Sequence, residues 1–307
     1  MNVRMDDIMK TWQDKNSPLY ANLPFMEIRG NYIIYPSVAE VKYDGEFQYL
    51  INNGTGIYLA NKKKHGRIRT GMKVTNVKIP EDSIFIAELI SGEGKDFYDF
   101  LRHKLTDDLR LAIFGVLKLK GEELTKATYA DQRKILEQQK FYNNDVFLSQ
   151  RFNVANKQQL DDIFNRVTKL GYEGIVIKDP LSTYINGDTG KWKKQKYEAD
   201  NDLAIMGFKV VKDISLLLGH QVNGRLVPIC HCGGGMDDNE KDTFIRVLRP
   251  LAIDKHGEDY LVEPKIVITV KHGGAIRDAN GIVTSLRSPQ FKTIRLDKTI
   301  KEVDNIN

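Results

Sequence analysis

Two cysteines, Cys230 and Cys232, are all that the 307 residues contain, and the single residue between them suits neither a disulfide framework nor a common zinc knuckle. His231 between them and His220 nearby would have to complete any metal site there, and two buried or half-buried thiols in a strand is the plainer reading. No stretch approaches the roughly 20 apolar residues needed to cross a bilayer, and the segment after Met1 is polar and charged without an apolar centre. An intracellular, cytoplasmic protein with no membrane partner is the expectation. Internal repeats, low-complexity tracts and long linkers are missing as well. So is charge of one dominant sign: 46 Lys and Arg stand against 41 Asp and Glu, and the net +5 fits a nucleic-acid partner and many soluble enzymes alike. What is present is 41% hydrophobic residues over a length that accommodates two ordinary domains, each with its own core.

Residues 32–50 carry β-branched and aromatic side chains in strand-like alternation, and strand-like runs recur at 84–89, 111–119 and 174–177. Helices intervene. Residues 157–170 set Leu160, Ile163, Phe164, Val167 and Leu170 on one apolar stripe with Gly171 as the stop, and a second helix covers about 129–139. Strands and helices mixed in this way predict an α+β domain over residues 1–197. Past the polar Glu198-Ala199-Asp200-Asn201-Asp202 segment the pattern turns to short strands, at 203–211, 225–230 and 260–270, with one amphipathic helix at about 240–251. Such a pattern over 203–307 suits a small β-barrel of the OB type.

Several side chains carry a structural reading and a chemical one side by side. Lys42, in Lys42-Tyr43-Asp44-Gly45, sits among Val38, Val41, Phe47 and Tyr49 at a strand end that turns at Asp44-Gly45. Taken alone, such a lysine is usually a solvated residue at a strand edge. Glu88 is a carboxylate inside the apolar run Ile84-Phe85-Ile86-Ala87-Glu88-Leu89, so it needs a cation, a hydroxyl or an arginine. Glu173 opens Glu173-Gly174-Ile175-Val176-Ile177-Lys178, where Gly174 permits close backbone approach and alternation would put Glu173, Ile175 and Ile177 on one face. Phe114, in a strand, reads as core on its own. Lys191, Lys193, Lys194 and Lys196 place four ammonium groups within six residues, and Lys62-Lys63-Lys64-His65-Gly66-Arg67-Ile68-Arg69 forms a second basic cluster. Clusters of this kind that hold phosphates bind with strong salt dependence.

In their order and spacing, Lys42-Tyr43-Asp44-Gly45, Glu88, the 173–178 segment and Lys194-Gln195-Lys196 resemble the motif series of the covalent nucleotidyltransferases. The segment Arg287-Ser288-Pro289-Gln290-Phe291-Lys292-Thr293-Ile294-Arg295-Leu296-Asp297-Lys298 resembles the terminal motif of ATP-dependent DNA ligases. The resemblance covers roughly residues 38–298. It implies a nucleotidyltransferase (adenylation) domain of antiparallel sheets with flanking helices, a hinge at 198–202 and a C-terminal OB-fold β-barrel. It implies ATP as AMP donor, Mg²⁺ or Mn²⁺, nicked double-stranded DNA as partner, and a monomer.

The same resemblance carries the site roles. Lys42 would take AMP through a phosphoramide bond, Glu40 would read the adenine amino group, and Asp44 would face the nick. Phe114 would stack on adenine, Glu88 would serve the ribose and the metal, and Glu173 would be the main Mg²⁺ carboxylate, a ligand type that Mg²⁺ prefers. Lys194 and Lys196 would hold ATP phosphates, and Arg287, Arg295 and Lys298 the β- and γ-phosphates in the first step. Lys62, Lys63, Lys64 and Arg67 would grip nick phosphates, with Lys64 at an arginine position of the family. Gly115 departs from the usual aspartate, and Phe47 stands where the family carries arginine. A lysine that attacks phosphorus must be neutral, whereas a free lysine has a pKa near 10.4, so its surroundings have to make the neutral amine accessible. The large N-terminal DNA-binding domain of bigger ligases is expected to be absent, and a phage or virus origin is one expectation. An RNA ligase, a capping guanylyltransferase and a catalytically inactive nucleic-acid-binding protein on the same scaffold stay open as alternatives.

Overall fold

Residues 24, 26–61, 77–94, 109–141, 145–278 and 280–306 are described by the computed structural model, and the chain divides into two units, Met1–Lys196 and Tyr197–Asn307. In the first unit, the alternation expected over 32–50 becomes two strands, Ser37–Lys42 and Glu46–Asn52, separated by the turn at Asp44-Gly45. Glycine is required at that turn: a Cβ on Gly45 would lie 2.3 Å from the Leu89 carbonyl oxygen. The turn therefore hands the chain from one sheet to another. Ser37–Lys42 belongs to a four-stranded antiparallel sheet in the order Trp192–Lys196, Gly174–Lys178, Ser37–Lys42, Arg151–Val154. Glu46–Asn52 belongs to a six-stranded sheet, flanked by Ile57–Asn61 and Ser83–Ser91, with Leu109–Leu119 beyond.

Each sheet has two differently dressed faces, because cross-strand neighbours point the same way and successive residues alternate. Ala39, Val41, Ile175 and Ile177 form the apolar face of the four-stranded sheet and share a core with Leu160 and Val167 of the helix Lys157–Lys169. Each of the buried valine, leucine and isoleucine side chains among them contributes about 1.5–3 kcal/mol. Asn156 caps the helix by accepting from the Gln159 N–H at 3.0 Å, and Gly171 leaves it at φ +90°. Leu170, expected on the buried stripe, is instead 57% exposed, because it is the C-cap where the helix has already ended. The second helix runs Tyr129–Gln138, with Thr128 as its N-cap. In the six-stranded sheet Leu50, Phe85, Leu89, Leu111 and Ile113 pack on one side, while Tyr49, Ile51, Ile86 and Leu117 pack on the other with Phe47 and Phe114 against them.

The second unit curls around one long strand, Ala199–Val210. Residues 199–204 of that strand pair with Val267–His272, Gly207 and Phe208 pair with Asp259–Val262, and its other edge takes Ile214–Val222, followed by Arg225–Cys232. Val267–His272 in turn carries Gln290–Ile294. Leu203, Ile205, Leu216, Leu218, Ile268, Val270 and Phe291 fill the interior with Phe244 and Leu248 of the helix Asp238–Leu248. Three sequence expectations shift. The strand expected at 260–270 is two strands, with Pro264 between them, since proline lacks the N–H that a continuous ladder needs. The helix expected at 240–251 begins at Asp238 under an Asp237/Glu240 capping box, and Pro250 marks its end in a short 3-10 turn, Arg249–Leu251. Residues 199–202, within the segment read as a hinge, are strand, in register with 269–272.

Around the cysteines, His231 Nε2 lies 2.7 Å from Asp259 Oδ1, and burial pushes the Cys230 and Cys232 thiols up to about 12 and about 11. Among the described residues no group of three or more His, Cys, Asp or Glu side chains is placed to hold a metal ion, and no helix is long and apolar enough to cross a membrane.

Candidate active site

Strand register brings distant parts of the chain to one place. Lys42 stands opposite Gly174, and Gly174 opposite Lys196; Glu40 stands opposite Val176, and Val176 opposite Lys194; Val38 stands opposite Lys178, and Lys178 opposite Trp192. Facing the same way, Glu40, Lys42, Lys178, Trp192, Lys194 and Lys196 line a cavity of about 330 Å³, with Gly45, Phe47, Glu88 and Phe114 also in its wall.

Glu173 sits just before the strand Gly174–Lys178, and its side chain does not follow Ile175 and Ile177 as alternation had predicted. Gly174 has φ +149°, and a Cβ there would lie 2.1 Å from the Gln195 carbonyl oxygen, so only glycine permits this path. The rerouted backbone lets the Glu173 carboxylate meet two lysines: Lys42 Nζ on Oε2, and Lys196 Nζ on Oε1 at 2.7 Å. Burial works to raise the Glu173 carboxyl, but the Lys42 charge and the hydrogen bonds from Lys196 and Lys42 hold it below the ordinary glutamate range.

Glu40 occupies a second acidic centre that the sequence did not reveal. Its Oε1 accepts from the Tyr129 hydroxyl and lies 3.5 Å from Arg133 Nη1; its Oε2 accepts from Ser149 Oγ at 2.9 Å and Lys178 Nζ at 2.7 Å. A carboxylate offers about four acceptor positions, and three of these accept hydrogen bonds. Glu40 and Lys178 have side chains only 2% exposed. Lys178 Nζ also lies 4.1 Å from the Trp192 ring centre, 4.9 Å from that of Tyr129 and 5.2 Å from that of Phe114, a cage that favours a cation electrostatically. Desolvation pulls the Lys178 amine down and Glu40 pulls it back up, with a net lowering; burial raises the Tyr129 phenol, and the Glu40 charge adds to that. Lys178 is a charged residue in an otherwise apolar strand, a sequence signal of the same kind as Glu88.

The other residues singled out in the sequence fall as follows. Glu88 is half-buried on Ser83–Ser91, opposite Phe47. Phe47 meets Tyr49 and Phe114 edge-on at 4.9 and 6.0 Å, so the ring standing at the family's arginine position belongs to an aromatic wall. Gly115 also has a steric reason: a Cβ there would lie 2.5 Å from Ile86 Cδ1, inside the core. Asp44 lies in the turn after Lys42, its N–H donating to the Gly94 carbonyl at 2.8 Å. Lys194 Nζ lies 3.7 Å from Glu27 Oε1. Arg287, Arg295 and Lys298 belong to the second unit. Lys62, Lys63, Lys64 and Arg67 lie outside the described residues.

Comparison with known proteins adds two family matches: a profile described as "ATP dependent DNA ligase domain" matches residues 33–196, and one described as "ATP dependent DNA ligase C terminal region" matches 213–298. The DNA ligase of Thermococcus fumicolans is 25% identical over 298 residues, covering 87% of this chain and 53% of the relative. That of Thermococcus onnurineus is 27% identical over 298 residues, with the same coverage. The chain thus spans about half the length of these curated relatives. A solved structure described as "Pmar-Lig_Pre." aligns with TM-score 0.68 at 18% identity, over 96% of this chain and 72% of that one. Another, described as "DNA binding with a minimal scaffold: Structure-function analysis of Lig E DNA ligases", aligns with TM-score 0.62 at 15% identity, over 89% of this chain and all of that one. At such identities the likeness concerns the fold: an adenylation-type domain of sheets followed by an OB-type barrel.

Proposed function

The chain belongs to the family of ATP-dependent DNA ligases, and on that premise we propose that it seals nicks in double-stranded DNA through an AMP carried on Lys42. The observation that carries this reading is the shared carboxylate: Glu173 holds Lys42 and Lys196, from two separate motif strands, beside an aromatic-walled cavity. In the first step the Lys42 Nζ lone pair forms a bond to the α-phosphorus of ATP. The bond from that phosphorus to the bridging oxygen breaks, and pyrophosphate leaves with the electron pair. The proton must leave Nζ for this attack, since only the neutral amine is a nucleophile. Lys194 and Lys196 face the same cavity and suit the charge on the phosphates. Phe114 offers its ring to the purine, while an adenine amino group at Glu40 would share an oxygen with the donors already there.

Glu173 and Glu88 would hold Mg²⁺, whose charge offsets that developing on the phosphates. Carboxylate oxygens are the donor type that Mg²⁺ takes, with phosphates and water supplying the rest of its coordination. In the second step the nick's 5′-phosphate oxygen displaces Lys42 from the AMP phosphorus, restoring the amine. In the third the 3′-hydroxyl attacks the 5′-phosphorus, closing the backbone as AMP departs. Asp44, two residues after Lys42 in the turn, would face the nick.

The test is incubation of the chain with α-labelled ATP and Mg²⁺, followed by peptide mass spectrometry and by sealing assays on DNA and RNA nicks. AMP is expected on Lys42, and Lys42→Ala is expected to lose labelling and sealing by at least a thousandfold, about 4 kcal/mol of barrier. Label on another lysine, or on the Lys42→Ala variant, would overturn the assignment.

A further inference from the structure

Arg295 and Lys298 of the second unit converge on a single oxygen atom. Asp202 Oδ2 lies 2.5 Å from Arg295 Nη1 and 2.6 Å from Lys298 Nζ. The other edge of Arg295 donates to the Asp297 carboxylate, Nε at 2.9 Å and Nη2 at 2.6 Å. Asp202 and Asp297 therefore match the two cations charge for charge.

The partners differ in freedom. Asp202 is held on the strand Ala199–Val210, opposite Thr269, whose hydroxyl donates to Oδ1 at 2.5 Å. Its backbone N–H donates to Asp304 Oδ2 at 2.8 Å, and its carbonyl accepts from the Asp304 N–H at 2.9 Å. Asp304 Oδ2 also accepts from Asn201 Nδ2 at 2.9 Å, and Asn201 Oδ1 lies 2.7 Å from His272 Nε2. The Gly274 N–H donates to His272 Nδ1, so the ring proton sits on Nε2 and donates to Asn201, which fixes the amide's orientation. The acid is thus anchored, with its side chain 9% exposed, whereas the Arg295 and Lys298 side chains are 27% and 26% exposed on the segment that follows Gln290–Ile294. Partial burial works to raise the Asp202 carboxyl, but the bonds from Lys298 and Thr269 and the Arg295 charge keep it low and ionised.

We propose that Asp202 is a positioning residue that parks Arg295 and Lys298, so that a polyphosphate must displace its carboxylate to engage them and the acid sets how tightly the chain takes the triphosphate. This rests on the ligase reading, in which those cations meet the β- and γ-phosphates. Apparent affinity scales with the fraction of molecules whose cations are free, so removing the competitor should tighten binding.

The experiment compares wild type, Asp202→Asn and Thr269→Val as full chains. Binding of inorganic tripolyphosphate is measured by calorimetry, and self-adenylylation as a function of ATP. Asp202→Asn is expected to bind tripolyphosphate about three- to tenfold more tightly and to lower the apparent KM for ATP by a similar factor, with kcat within about twofold. Thr269→Val, which removes one anchor and keeps the acid, should shift both in the same direction by less and serves if Asp202→Asn does not fold. Unchanged or weaker tripolyphosphate binding by the folded variants would overturn the parking role, which a purely structural acid would also give. Absence of AMP on the wild-type chain would overturn only the ligase reading.

Discussion

Glu40 and Glu173 serve neighbouring strands of one sheet, and both take lysines, yet they are opposites. Glu40 is 2% exposed and draws its four partners, Tyr129, Arg133, Ser149 and Lys178, from residues that are themselves buried. Glu173 is 11% exposed, and the Lys196 side chain it holds is 52% exposed. Deep in the sheet, three donors and a neighbouring guanidinium hold the carboxylate, and breaking one pair would leave a charge in a poor solvent. Nearer the surface, water can replace a partner, so Lys196 can leave Glu173 for a phosphate, and the carboxylate can take a metal, at a smaller cost. Fixed geometry and exchangeable chemistry are divided between two carboxylates.

The sharpest way to break the comparison is to remove one lysine from each centre. Lys178→Met is expected to cost about 3 kcal/mol of stability in urea unfolding, near the low end for a broken buried pair because Arg133 still lies 3.5 Å from Glu40. Lys196→Ala should cost less than about 1 kcal/mol in the same measurement while lowering self-adenylylation. Equal losses of stability would erase the distinction. Next in size, Glu173→Gln should slow adenylylation at saturating ATP about a hundredfold, about 2.7 kcal/mol, while ATP binding changes far less, because the lost charge acts as the phosphate is attacked. Near-normal turnover in ordinary Mg²⁺ would move the metal site to Glu88.

Phe47→Arg probes the aromatic wall of the cavity. The ring packs on Tyr49 and Phe114, so arginine is expected to cost about 1–2 kcal/mol of stability without improving ATP use. A tenfold gain in apparent ATP affinity would show a missing contact at that position. The smallest effect concerns acid. The Glu173 carboxyl titrates lower in the folded chain than in the unfolded one, so over that interval the unfolded state binds more protons and stability rises with pH. Its contribution is present above the ordinary glutamate pKa, about 4.3, and is lost as pH falls through the lower folded value. The acid limb of urea midpoint against pH should therefore be shallower in Glu173→Gln than in wild type.

Much of this layout was legible in the chain. The turn at Asp44-Gly45 and the helix following Asn156 are local signals, written in glycine, capping residues and apolar period. Two misreadings had local remedies: Leu170 is exposed because the helix has ended there before Gly171, and the run at 260–270 splits near Pro264. The Glu40 centre was hidden because its partners come from three separate stretches of chain, the helix Tyr129–Gln138, Ser149 and Lys178.

By itself, then, the sequence determined which residue types occur at which spacing: Lys42, Glu88, Glu173, Lys194 and Lys196 in order, and the terminal segment from Arg287 to Lys298. Only the tertiary structure decided who meets whom. Lys42 reaches Glu173 because Ser37–Lys42 pairs with Gly174–Lys178, and Arg295 with Lys298 reaches Asp202 because the barrel sets Gln290–Ile294 two strands from Ala199–Val210. Ladder register between strands far apart in the chain follows from burying one face of each sheet, a condition on the whole fold that no local run of residues carries.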